Sequence, residues 1–395
     1  MTTQESNKVR ILWITDKEFD VALDTATWVE MVACLQESCT VQLLADYRHK
    51  EVQPEVFHNK IVYYRSCRIP YAKCLTRYVS QYRITRSMLE SYRPDIVLFQ
   101  TGNPFLLKYA VSVRQKYQLR LVYDIRTLPV ESRALRNWID GRLLSSCMRY
   151  AADYFDGMTY ITNQMKQYCI DKYKLHPHPS IVWTSGVNPG LFSPSPATSP
   201  SGPFTIMYHG SIAKQRMIDN AVKAISLLPD LDIRLVLLGT GDGLANLRKL
   251  VETLKIQNRV SFNEPVGYEE VPKWIGRCDV GILPFQDWDG WNVSSPIKLF
   301  EYLACAKPVI VTDIPAHRHV LEDHAFAFWA KRSSPQDIAD AIRQAYEIRA
   351  DLHRVGLKAR QLVLDEYTWA KQAERLWGFL GCTGPRNLFE TTCSS

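Results

Sequence analysis

Short apolar runs alternate with segments of helical periodicity along the first half of the chain. VRILWIT (9–15) opens the series, and further β-rich runs and amphipathic stretches follow it. The predicted strands are 9–15, 40–45, 60–64, 95–99, 119–124 and 157–161, and the predicted helices are 24–38, 73–92, 105–117 and 133–152. Such alternation is typical of βαβ units, in which parallel strands form a sheet that helices cover. The pattern predicts a doubly wound α/β domain.

A second series of the same kind begins after a break. Residues 188–204 are dense in proline, serine and glycine, a composition that neither extends a helix nor enters a central strand. Beyond it the predicted strands are 204–210, 233–239, 259–262, 280–285 and 308–312, and the predicted helices are 216–228, 243–256, 269–277, 297–304, 335–349, 351–366 and 368–380. The domains and segments that we predict are a first α/β domain at 1–188, a linker at 189–203, a second α/β domain at 204–367 and a tail at 382–395.

The length of the chain agrees with two domains, and its charge is unevenly divided between them. A chain of 395 residues exceeds the roughly 250–300 residues that one hydrophobic core usually serves. Residues 1–190 contain 25 basic and 18 acidic side chains, so the net charge of +7 belongs to this half. The first domain therefore attracts an anionic partner, which would be a nucleic acid, a membrane or a phosphorylated substrate, or it has a solvated basic surface that binds nothing.

Cysteine usage and hydropathy bear on the compartment. The ten cysteines form no C-x-x-C pair and show no metal-ligand spacing with histidine. The N-terminus is polar and leads directly into a strand, and no run of about 18 apolar residues is present to span a bilayer. The sequence therefore predicts a protein of the reducing cytoplasm, in which any membrane contact is peripheral.

The segment SSPIKLFEYLACAKPVIVTD, which begins at Ser294, is the richest in candidate chemistry. Ser294 or Ser295 can cap a helix, and Pro296 suits its first turn. Lys298 projects from that turn, and a helix N-terminus with a lysine is suited to a diphosphate. Glu301 lies about one turn further, where its carboxylate can accept both hydroxyls of a ribose. From the residues alone, an ordinary capped helix remains the alternative.

This segment resembles the donor-nucleotide motif of GT-B glycosyltransferases, in particular glycosyltransferase family 4. Other segments resemble that family in the same order along nearly the whole chain: TSGVNPGLFSP (184–194), YHGSIAKQR (208–216), LLGTGDG (237–243), VSFNEPVGYEEVPKWIGRCDVGILPF (260–285) and EYTWAKQAERLWGFL (366–380). The resemblance implies two Rossmann-like, doubly wound domains that face a central cleft, with a helix at about 368–381 that packs back on the first domain. It also implies a retaining, metal-independent hexosyltransferase of polysaccharide or glycoconjugate biosynthesis.

By this resemblance the second domain binds a nucleotide diphosphate sugar. Lys214, Arg216 and Lys298 would hold the diphosphate with no metal or other cofactor. The implied donor-binding residues are Gly210, Ser211, Lys214, Arg216, Gly239, Phe262, Val266, Ser294, Ser295, Pro296, Lys298, Leu299 and Glu301. The implied catalytic residues are Lys298, Arg216, Glu301 and Asp124. UDP is the favoured nucleotide and GDP the second.

One departure from the family concerns the donor sugar. The family's Glu-x7-Glu pattern would place a first carboxylate eight residues before Glu301, where this chain has Val293. Recognition of the sugar hydroxyls then falls to Asp289, Asn292 or main-chain groups. Two alternatives to a transferase stay open: a catalytically silent homologue that binds a nucleotide or a partner protein, and a sugar-nucleotide epimerase. The D-x-D sequence at 287–289 is the metal motif of a different glycosyltransferase fold, so we expect a loop there and no metal site.

Polar residues at strand ends of the first domain are candidates for acceptor contacts, because open sheets bind ligands beyond the carboxyl ends of their strands. These candidates are Asp16, Lys17, Gln100, Asn103, Asp124 and Arg126. The acceptor would be a glycan, a glycolipid or a small molecule with a free hydroxyl. An internal ion pair is the alternative for Asp124 and Arg126. No carboxylate stands out as a covalent nucleophile, which favours attack from the face that the diphosphate leaves.

The stretch 69–93 is basic and rich in tyrosine. It has Leu75, Val79, Tyr82 and Leu89 at helical spacing, with Lys73, Arg77, Arg83 and Arg86 elsewhere around the helix. We favour a domain helix with an apolar core stripe and a solvated basic face. The alternative is an interfacial helix beside an anionic bilayer, which would present a lipid-linked acceptor. Nucleic acid is not an expected partner, because no recognisable nucleic-acid module accompanies the stretch.

Overall fold

The computed structural model describes residues 8–18, 26–46, 61–67, 70–128, 134–195 and 202–382. These residues form two compact units. Unit 1 comprises Met1–Thr184 with Trp369–Ser395, and unit 2 comprises Ser185–Thr368. Each unit is an α/β domain with a parallel sheet, which confirms the fold class predicted from the alternation of strands and helices.

Unit 1 is built on a sheet whose described strands all pair in parallel. Its elements in chain order are β1 (Arg10–Glu18), α1 (Ala26–Leu35), β2 (Thr40–Asp46), β3 (Ile61–Tyr64), α2 (Pro70–Ser91), β4 (Ile96–Gln100), α3 (Pro104–Tyr117), β5 (Arg120–Ile125), α4 (Ala134–Tyr154), β6 (Gly157–Tyr160), α5 (Asn163–Tyr173) and β7 (Ser180–Val182). The strand order is β3-β2-β1-β4-β5-β6-β7. The order reverses between β1 and β4, and open parallel sheets bind their ligands beyond the strand ends at such a point.

Unit 2 repeats this plan. Its elements, followed by the last helix of the chain, are β8 (Phe204–His209), α6 (Ile218–Ser226), β9 (Ile233–Leu238), α7 (Leu244–Thr253), β10 (Val260–Asn263), α8 (Val271–Gly276), β11 (Val280–Leu283), α9 (Asp289–Asn292), α10 (Ile297–Ala304), β12 (Val309–Thr312), α11 (Pro315–Leu321), β13 (Ala327–Ala330), α12 (Pro335–Glu347), α13 (Leu352–Glu366) and α14 (Trp369–Cys382). The strand order is β10-β9-β8-β11-β12-β13, so the reversal lies between β8 and β11.

The central strands are largely apolar because helices cover both faces of each sheet. All residues of β5, β11 and β12 are buried. In unit 1 the fully buried rings of Trp13 and Trp183 meet edge to face at 5.9 Å. Because the central strands of both sheets are buried, the positions of the polar side chains at the ends of these strands are fixed.

Part of the predicted linker folds as an ordered piece of unit 2. The side-chain oxygen of Asn188 accepts hydrogen bonds from the backbone N–H groups of Gly190 and Leu191. Phe192 is fully buried, because this turn directs its ring into the core. The rest of the predicted linker includes 196–201, which lie outside the described residues.

The last helix, α14, belongs to unit 1 and packs against α1. The Arg120 guanidinium on β5 donates a hydrogen bond of 2.7 Å to the carbonyl of Phe379. Of the predicted tail, Cys382 is the last residue of this helix, and 383–395 lie outside the described residues.

Two sequence-based expectations need correction. The strands β7 and β13 and the helices α5, α9 and α11 were not predicted. Elements of three or four residues, such as β7, β13 and α9, show no periodicity, and α5 and α11 lack a strong apolar stripe. The predicted core stripe of α2 is wrong in its first half. Leu89 is buried, but Leu75 and Val79 are 65% and 50% exposed. No helix among the described residues has the length and apolar composition of a membrane span.

Gly356 on α13 lies against the backbone that follows α10. A Cβ at Gly356 would overlap the carbonyl oxygen of Ala306. We therefore expect Gly356→Ala to lower the free energy of unfolding by about 1–3 kcal/mol, the usual cost of overpacking, measured by chemical denaturation. Gly378→Ala on α14 is the control, because nothing lies within 4 Å of its added Cβ, and it should be neutral or slightly stabilising. Equal stability of the two variants would contradict the close contact.

Candidate functional site

The reversal of strand order in unit 2 brings the predicted donor residues to neighbouring loops. β8 ends at His209 and is followed by Gly210, and β11 leads through α9 into α10. Ligands of open parallel sheets bind beyond the carboxyl ends of the strands at this position. The fold therefore favours the same location that the residues suggest.

Glycines let two loops approach each other beside this site. Gly210 follows β8 with a φ of +102°, and Gly239 follows β9 with a φ of +144°. A Cβ on Gly239 would overlap the carbonyl oxygen of Gly210, and a Cβ on Gly241 would overlap that of Ile212. The family resemblance implies that the donor occupies the space beside Gly210 and Gly239. At Gly239 and Gly241 the structure fills that space with the neighbouring backbone, which only a residue without a side chain permits.

Lys298 in the first turn of α10 is held at the end of β8. Its ammonium nitrogen donates to the hydroxyl of Tyr208 at 3.1 Å and lies 4.3 Å from the centre of that ring. Tyr208 is fully buried, its hydroxyl donates to the carbonyl of Ser211, and burial raises its pKa to about 12. A Cβ on Gly210 would lie 3.0 Å from the ammonium, so glycine there leaves room for the lysine. A neutral phenol thus positions Lys298.

The start of α10 differs from the expected cap. Pro296 is the N-cap residue and makes no side-chain cap bond. The Ser294 hydroxyl donates to the carbonyl of Trp291 at 2.8 Å, and the Ser295 hydroxyl accepts from the backbone N–H of Ser185 at 3.2 Å. Because neither serine caps the helix, the first backbone N–H groups of α10 have no side-chain cap and can face an anionic ligand.

Arg216 ends a short 3-10 turn, Lys214–Arg216, that follows β8. Its guanidinium lies 4.3 Å from the ring centre of Trp291 and 5.1 Å from that of Phe285, and these two rings stack at 5.0 Å. Within the described ranges, no carboxylate forms an ion pair with Arg216. A planar guanidinium that stacks on a ring keeps the N–H donors at its edge free. The aromatic rings therefore position Arg216, and its N–H donors can bind an oxyanion.

Glu301 in the second turn of α10 is only 5% exposed. Burial raises the pKa of its carboxyl to about 7, against the opposing effects of Lys298 and the Tyr268 hydroxyl. One carboxylate oxygen lies 3.3 Å from Nε2 of His209, and burial holds the pKa of that histidine well below its usual value. The histidine is thus neutral, and the site contains a carboxyl that changes its charge near neutral pH.

The remaining predicted donor residues fall into two groups. Four near the ends of β8 and β10 are exposed or half-buried, namely Ser211, Lys214, Phe262 and Val266. Arg248 lies 4.6 Å from the centre of the Phe262 ring. Leu299 is fully buried, so its side chain packs in the core behind α10 and does not contact a ligand.

The segment 287–293 before α10, which includes α9, contains the departure from the family pattern. Val293 is buried, whereas Asp287, Trp288 and Asp289 are exposed. The Asn292 side chain donates to the Asp287 carboxylate at 2.6 Å. Among the residues that the structure describes, no group of three or more His, Cys, Asp or Glu side chains is placed to hold a metal ion.

In unit 1 the corresponding position, between β1 and β4, is filled by a network of hydrogen bonds. Asp16 accepts from the Thr101 hydroxyl at 2.7 Å, from the Gln81 side-chain amide at 2.8 Å and from the backbone N–H of Gly102 at 3.0 Å. The Arg77 guanidinium approaches the same carboxylate at 3.8 Å. Asp16 is therefore bound by the chain itself and ties β1 to α2 and β4.

The other predicted acceptor residues at this position have different surroundings. Asn103 is the N-cap of α3, where its side-chain oxygen accepts from the backbone N–H of Leu106 at 3.2 Å. The Lys17 ammonium lies 5.9 Å from a tryptophan ring centre. Gln100 has a buried side-chain oxygen without a hydrogen-bond partner among the described residues. The side chains of Asp16 and Asn103 thus stabilise the fold. The side-chain oxygen of Gln100 is available to accept a hydrogen bond from a ligand.

Asp124 and Arg126 are almost completely buried at the end of β5. Asp124 accepts from the Thr159 hydroxyl at 2.6 Å, and Arg126 donates to the carbonyl of Trp183 at 2.6 Å and stacks on its ring at 3.5 Å. Burial raises the pKa of Asp124 to about 6 and lowers that of Arg126 to about 10, and each charge opposes the shift of the other. This arrangement favours internal compensation of charge over contact with an acceptor.

Sequence reasoning missed three residues that shape the site of unit 2. Tyr208 and His209 stand directly before Gly210, and their position at a strand end was the available signal. Trp291 lies in α9, a helix of four residues, and no local pattern marks it as the support of Arg216.

Two family models match the chain in sequence. The model described as Glycosyltransferase Family 4 matches residues 26–191, and the model described as Glycosyl transferases group 1 matches residues 193–362. Between them they include most of both units.

Individual proteins resemble the chain over different lengths. An uncharacterized glycosyltransferase of Methanocaldococcus jannaschii is 22% identical over 335 residues, which are 82% of this chain and 84% of that protein. A D-inositol 3-phosphate glycosyltransferase of Paenarthrobacter aurescens is 26% identical over 162 residues, which are 39% of this chain and 38% of that protein.

Two solved structures share the fold. HepE of Anabaena in complex with UDP superposes with a TM-score of 0.72 at 14% identity, over 94% of this chain and 99% of that chain. Sucrose-phosphate synthase from Thermosynechococcus elongatus superposes with a TM-score of 0.74 at 13% identity, over 94% of this chain and 98% of that chain.

The raised pKa of Glu301 predicts a pH-dependent effect on stability. A carboxyl whose pKa is higher in the folded state than its ordinary value of 4.5 stabilises the fold below pH 4.5, and this contribution is lost as the pH rises through about 7. Glu301→Gln should therefore raise the free energy of unfolding at pH 8, by on the order of 3 kcal/mol, and change it little at pH 4.5.

Denaturation of both proteins across this pH range measures the difference. Glu252→Gln on α7 is the matched control, because it makes the same change at an exposed glutamate. A Glu301→Gln variant that is less stable than the wild type at pH 8 would contradict the buried, desolvated carboxyl.

Proposed function

Because this chain is a glycosyltransferase of the GT-B type that resembles family 4, we propose that it moves a hexosyl group from a nucleotide diphosphate sugar to a hydroxyl of a glycan, a lipid-linked molecule or a small molecule. UDP is the first choice of nucleotide and GDP the second. The transfer retains the configuration at the anomeric carbon and uses no metal ion. The observation that carries the proposal is the pair of cations near the end of β8, Arg216 and Lys298, each held by an aromatic side chain.

The two cations suit the charge that develops during transfer. When the bond between the anomeric carbon and the diphosphate breaks, negative charge grows on the departing oxygen. Arg216, Lys298 and the uncapped N–H groups of α10 can stabilise this charge without moving, because the surrounding chain already holds them. Metal ions do the same work in other enzymes, and two fixed cations make a metal dispensable.

The nucleoside would lie between α10 and the end of β10. Glu301 accepts hydrogen bonds from ribose hydroxyls, and Phe262 and Val266 lie where the base would pack. We favour UDP as the nucleotide of the donor because HepE, which shares the fold, was solved in complex with UDP and with UDP-glucose.

We propose an anionic acceptor. The surplus of positive charge belongs to residues 1–190, which form most of unit 1. Relatives named D-inositol 3-phosphate glycosyltransferase carry a phosphorylated compound in their name. A phosphate or another anionic group on the acceptor would therefore match the charge of unit 1.

The sequence offers no carboxylate that stands out as a covalent nucleophile, so we propose a step that needs none. The acceptor hydroxyl attacks the anomeric carbon from the face that the diphosphate leaves, and its proton passes to the departing diphosphate oxygen. The new C–O bond thus forms on the side where the old one breaks, which retains the configuration. Asp124, a catalytic candidate from the sequence, has no part in this step because its carboxyl is buried against Thr159.

Thermal unfolding with UDP, GDP, ADP and dTDP tests the donor site. A ligand that binds only the folded state stabilises it by mass action, and we expect UDP to raise the melting temperature most. Lys298→Ala should weaken UDP binding by about tenfold or more, because it removes a charge-assisted contact. Lys249→Ala, an exposed lysine on α7, is the control and should bind UDP as the wild type does.

The rival functions differ in their products. With a panel of UDP-sugars and acceptors, the proposed enzyme releases UDP when an acceptor is present. A catalytically silent homologue, which the valine at position 293 suggests, binds the nucleotide sugar but releases no UDP. An epimerase converts the donor sugar when no acceptor is present. A wild-type protein that none of the four nucleotides stabilises would contradict the donor site altogether.

We further propose that unit 1 contacts an anionic membrane from its cytoplasmic side. Leu75 and Val79 on α2 and Phe105 on α3 are 65%, 50% and 69% exposed. The Asn103 side chain donates to the carbonyl of Tyr78, which brings the start of α3 beside the middle of α2. The two helices carry seven basic side chains and one acidic one. Apolar side chains that enter a bilayer, surrounded by cations that attract anionic headgroups, are typical of interfacial binding.

Sedimentation with vesicles of phosphatidylglycerol and phosphatidylcholine in equal parts tests this contact. The double variant Leu75→Ser with Phe105→Ser should bind about tenfold less, because two side chains no longer enter the bilayer. The matched control is Leu227→Ser with Leu357→Ser, two exposed leucines of unit 2. Binding should also fall without phosphatidylglycerol and at high salt. Equal binding by the two double variants, or no binding by the wild type, would refute the contact.

A further inference from the structure

We infer that Trp291 on α9 is a positioning residue for Arg216, and that the segment 287–293, which lacks the family's first glutamate, acts on the donor diphosphate through this contact. The inference rests on the proposed function, because it assigns Arg216 to the diphosphate. It adds to the donor site a residue that no sequence motif marks, and it assigns a role in diphosphate binding to the segment 287–293, which contains Val293.

Trp291 belongs to a column of rings that reaches from Arg216 into the core of unit 2. Its indole stacks on Phe285 at 5.0 Å with an interplanar angle of 27°, and the Phe285 ring lies 5.7 Å from that of His317. Nδ1 of His317 is 2.8 Å from the carbonyl oxygen of Thr312 at the end of β12. All three rings are buried. The indole is therefore anchored through Phe285 and His317 to the buried ends of β11 and β12.

An arginine needs such support if it is to meet a ligand in one geometry. Its long side chain has about 2 kcal/mol of rotamer entropy, and a ring face restricts the guanidinium while the N–H donors at its edge remain available. Stacking of this kind contributes roughly 0.5–2 kcal/mol. A carboxylate would restrict Arg216 as well, but it would compete with the diphosphate for the same donors.

Another arginine of unit 2 shows the contrast. The Arg318 guanidinium lies 3.8 Å from the ring centre of Trp329, which is closer than the 4.3 Å between Arg216 and Trp291. Arg318 also donates to both carboxylate oxygens of Asp313, at 2.6 and 2.8 Å. Arg318 is thus both stacked and neutralised, whereas Arg216 is stacked with no carboxylate partner in the described part of the chain.

A double-mutant cycle tests the inference. Isothermal titration measures the binding of UDP and UMP to the wild type, Trp291→Leu, Arg216→Ala and the double variant. Trp291→Leu should weaken UDP binding about tenfold and UMP binding less, because Arg216 contacts the diphosphate. Once Arg216 is absent, the loss of Trp291 should add almost nothing. A purely structural role for Trp291 would instead weaken UDP binding equally in both backgrounds.

Two control variants accompany the cycle. Trp291→Phe keeps an aromatic face and should bind UDP within about threefold of the wild type. Trp329→Leu removes the ring beside the neutralised Arg318 and should leave UDP binding unchanged. If Trp291→Leu does not fold, the cycle is run with Trp291→Met, which keeps more of the side-chain volume.

The outcomes separate the two proposals. Additive effects in the cycle, or wild-type UDP affinity in Trp291→Leu, overturn the role of Trp291 and leave the donor site intact. A wild-type protein that binds neither UDP nor UMP overturns the proposed donor, and with it the task assigned to Arg216.

Discussion

A cation that binds a diphosphate has to be held in place without being neutralised, and unit 2 satisfies this constraint at Arg216 with an aromatic ring. Arg216 lies on the face of Trp291, and Lys298 lies beside the buried Tyr208. Rings restrict the motion of a cation and leave its charge available to a ligand. A carboxylate partner, of the kind that pairs with Arg318 and Arg343 in this unit, would have occupied the donors of Arg216.

The backbone around these cations is arranged to let them meet. Gly210 leaves room for the ammonium of Lys298, and Gly239 lets the loops after β8 and β9 touch. Glu301 lies one turn beyond Lys298, and its burial beside neutral His209 is costly to the fold when the carboxyl is charged. A buried charge that lowers the stability of the fold is typical of ligand-binding and catalytic groups, because a residue selected for stability alone would be apolar at this position.

Unit 1 uses its polar strand-end residues differently. Asp16 and Asn103 have their hydrogen-bonding atoms occupied by neighbours in the chain, and Asp124 and Arg126 compensate each other's charge in the interior. The basic surplus of this half is instead presented by helices such as α2 and α3, where it accompanies exposed apolar side chains. The charge asymmetry thus concerns a surface rather than the ends of the strands.

The sequence by itself determined the fold class, the division into two α/β units and the helix that carries both Lys298 and Glu301. Those features follow from periodicity and from residues a few positions apart, so local order is enough to reveal them. Only the tertiary structure decided which polar residues remain free. Asp16 and Asn103 are as polar as Arg216, and they differ only in having Thr101, Gln81 and Leu106 as neighbours. Likewise, Trp291 reaches Arg216 across 75 positions of sequence because the reversal of strand order places the ends of β8 and β11 side by side. Contacts of this range depend on the packing of the whole sheet, which no segment of the sequence records.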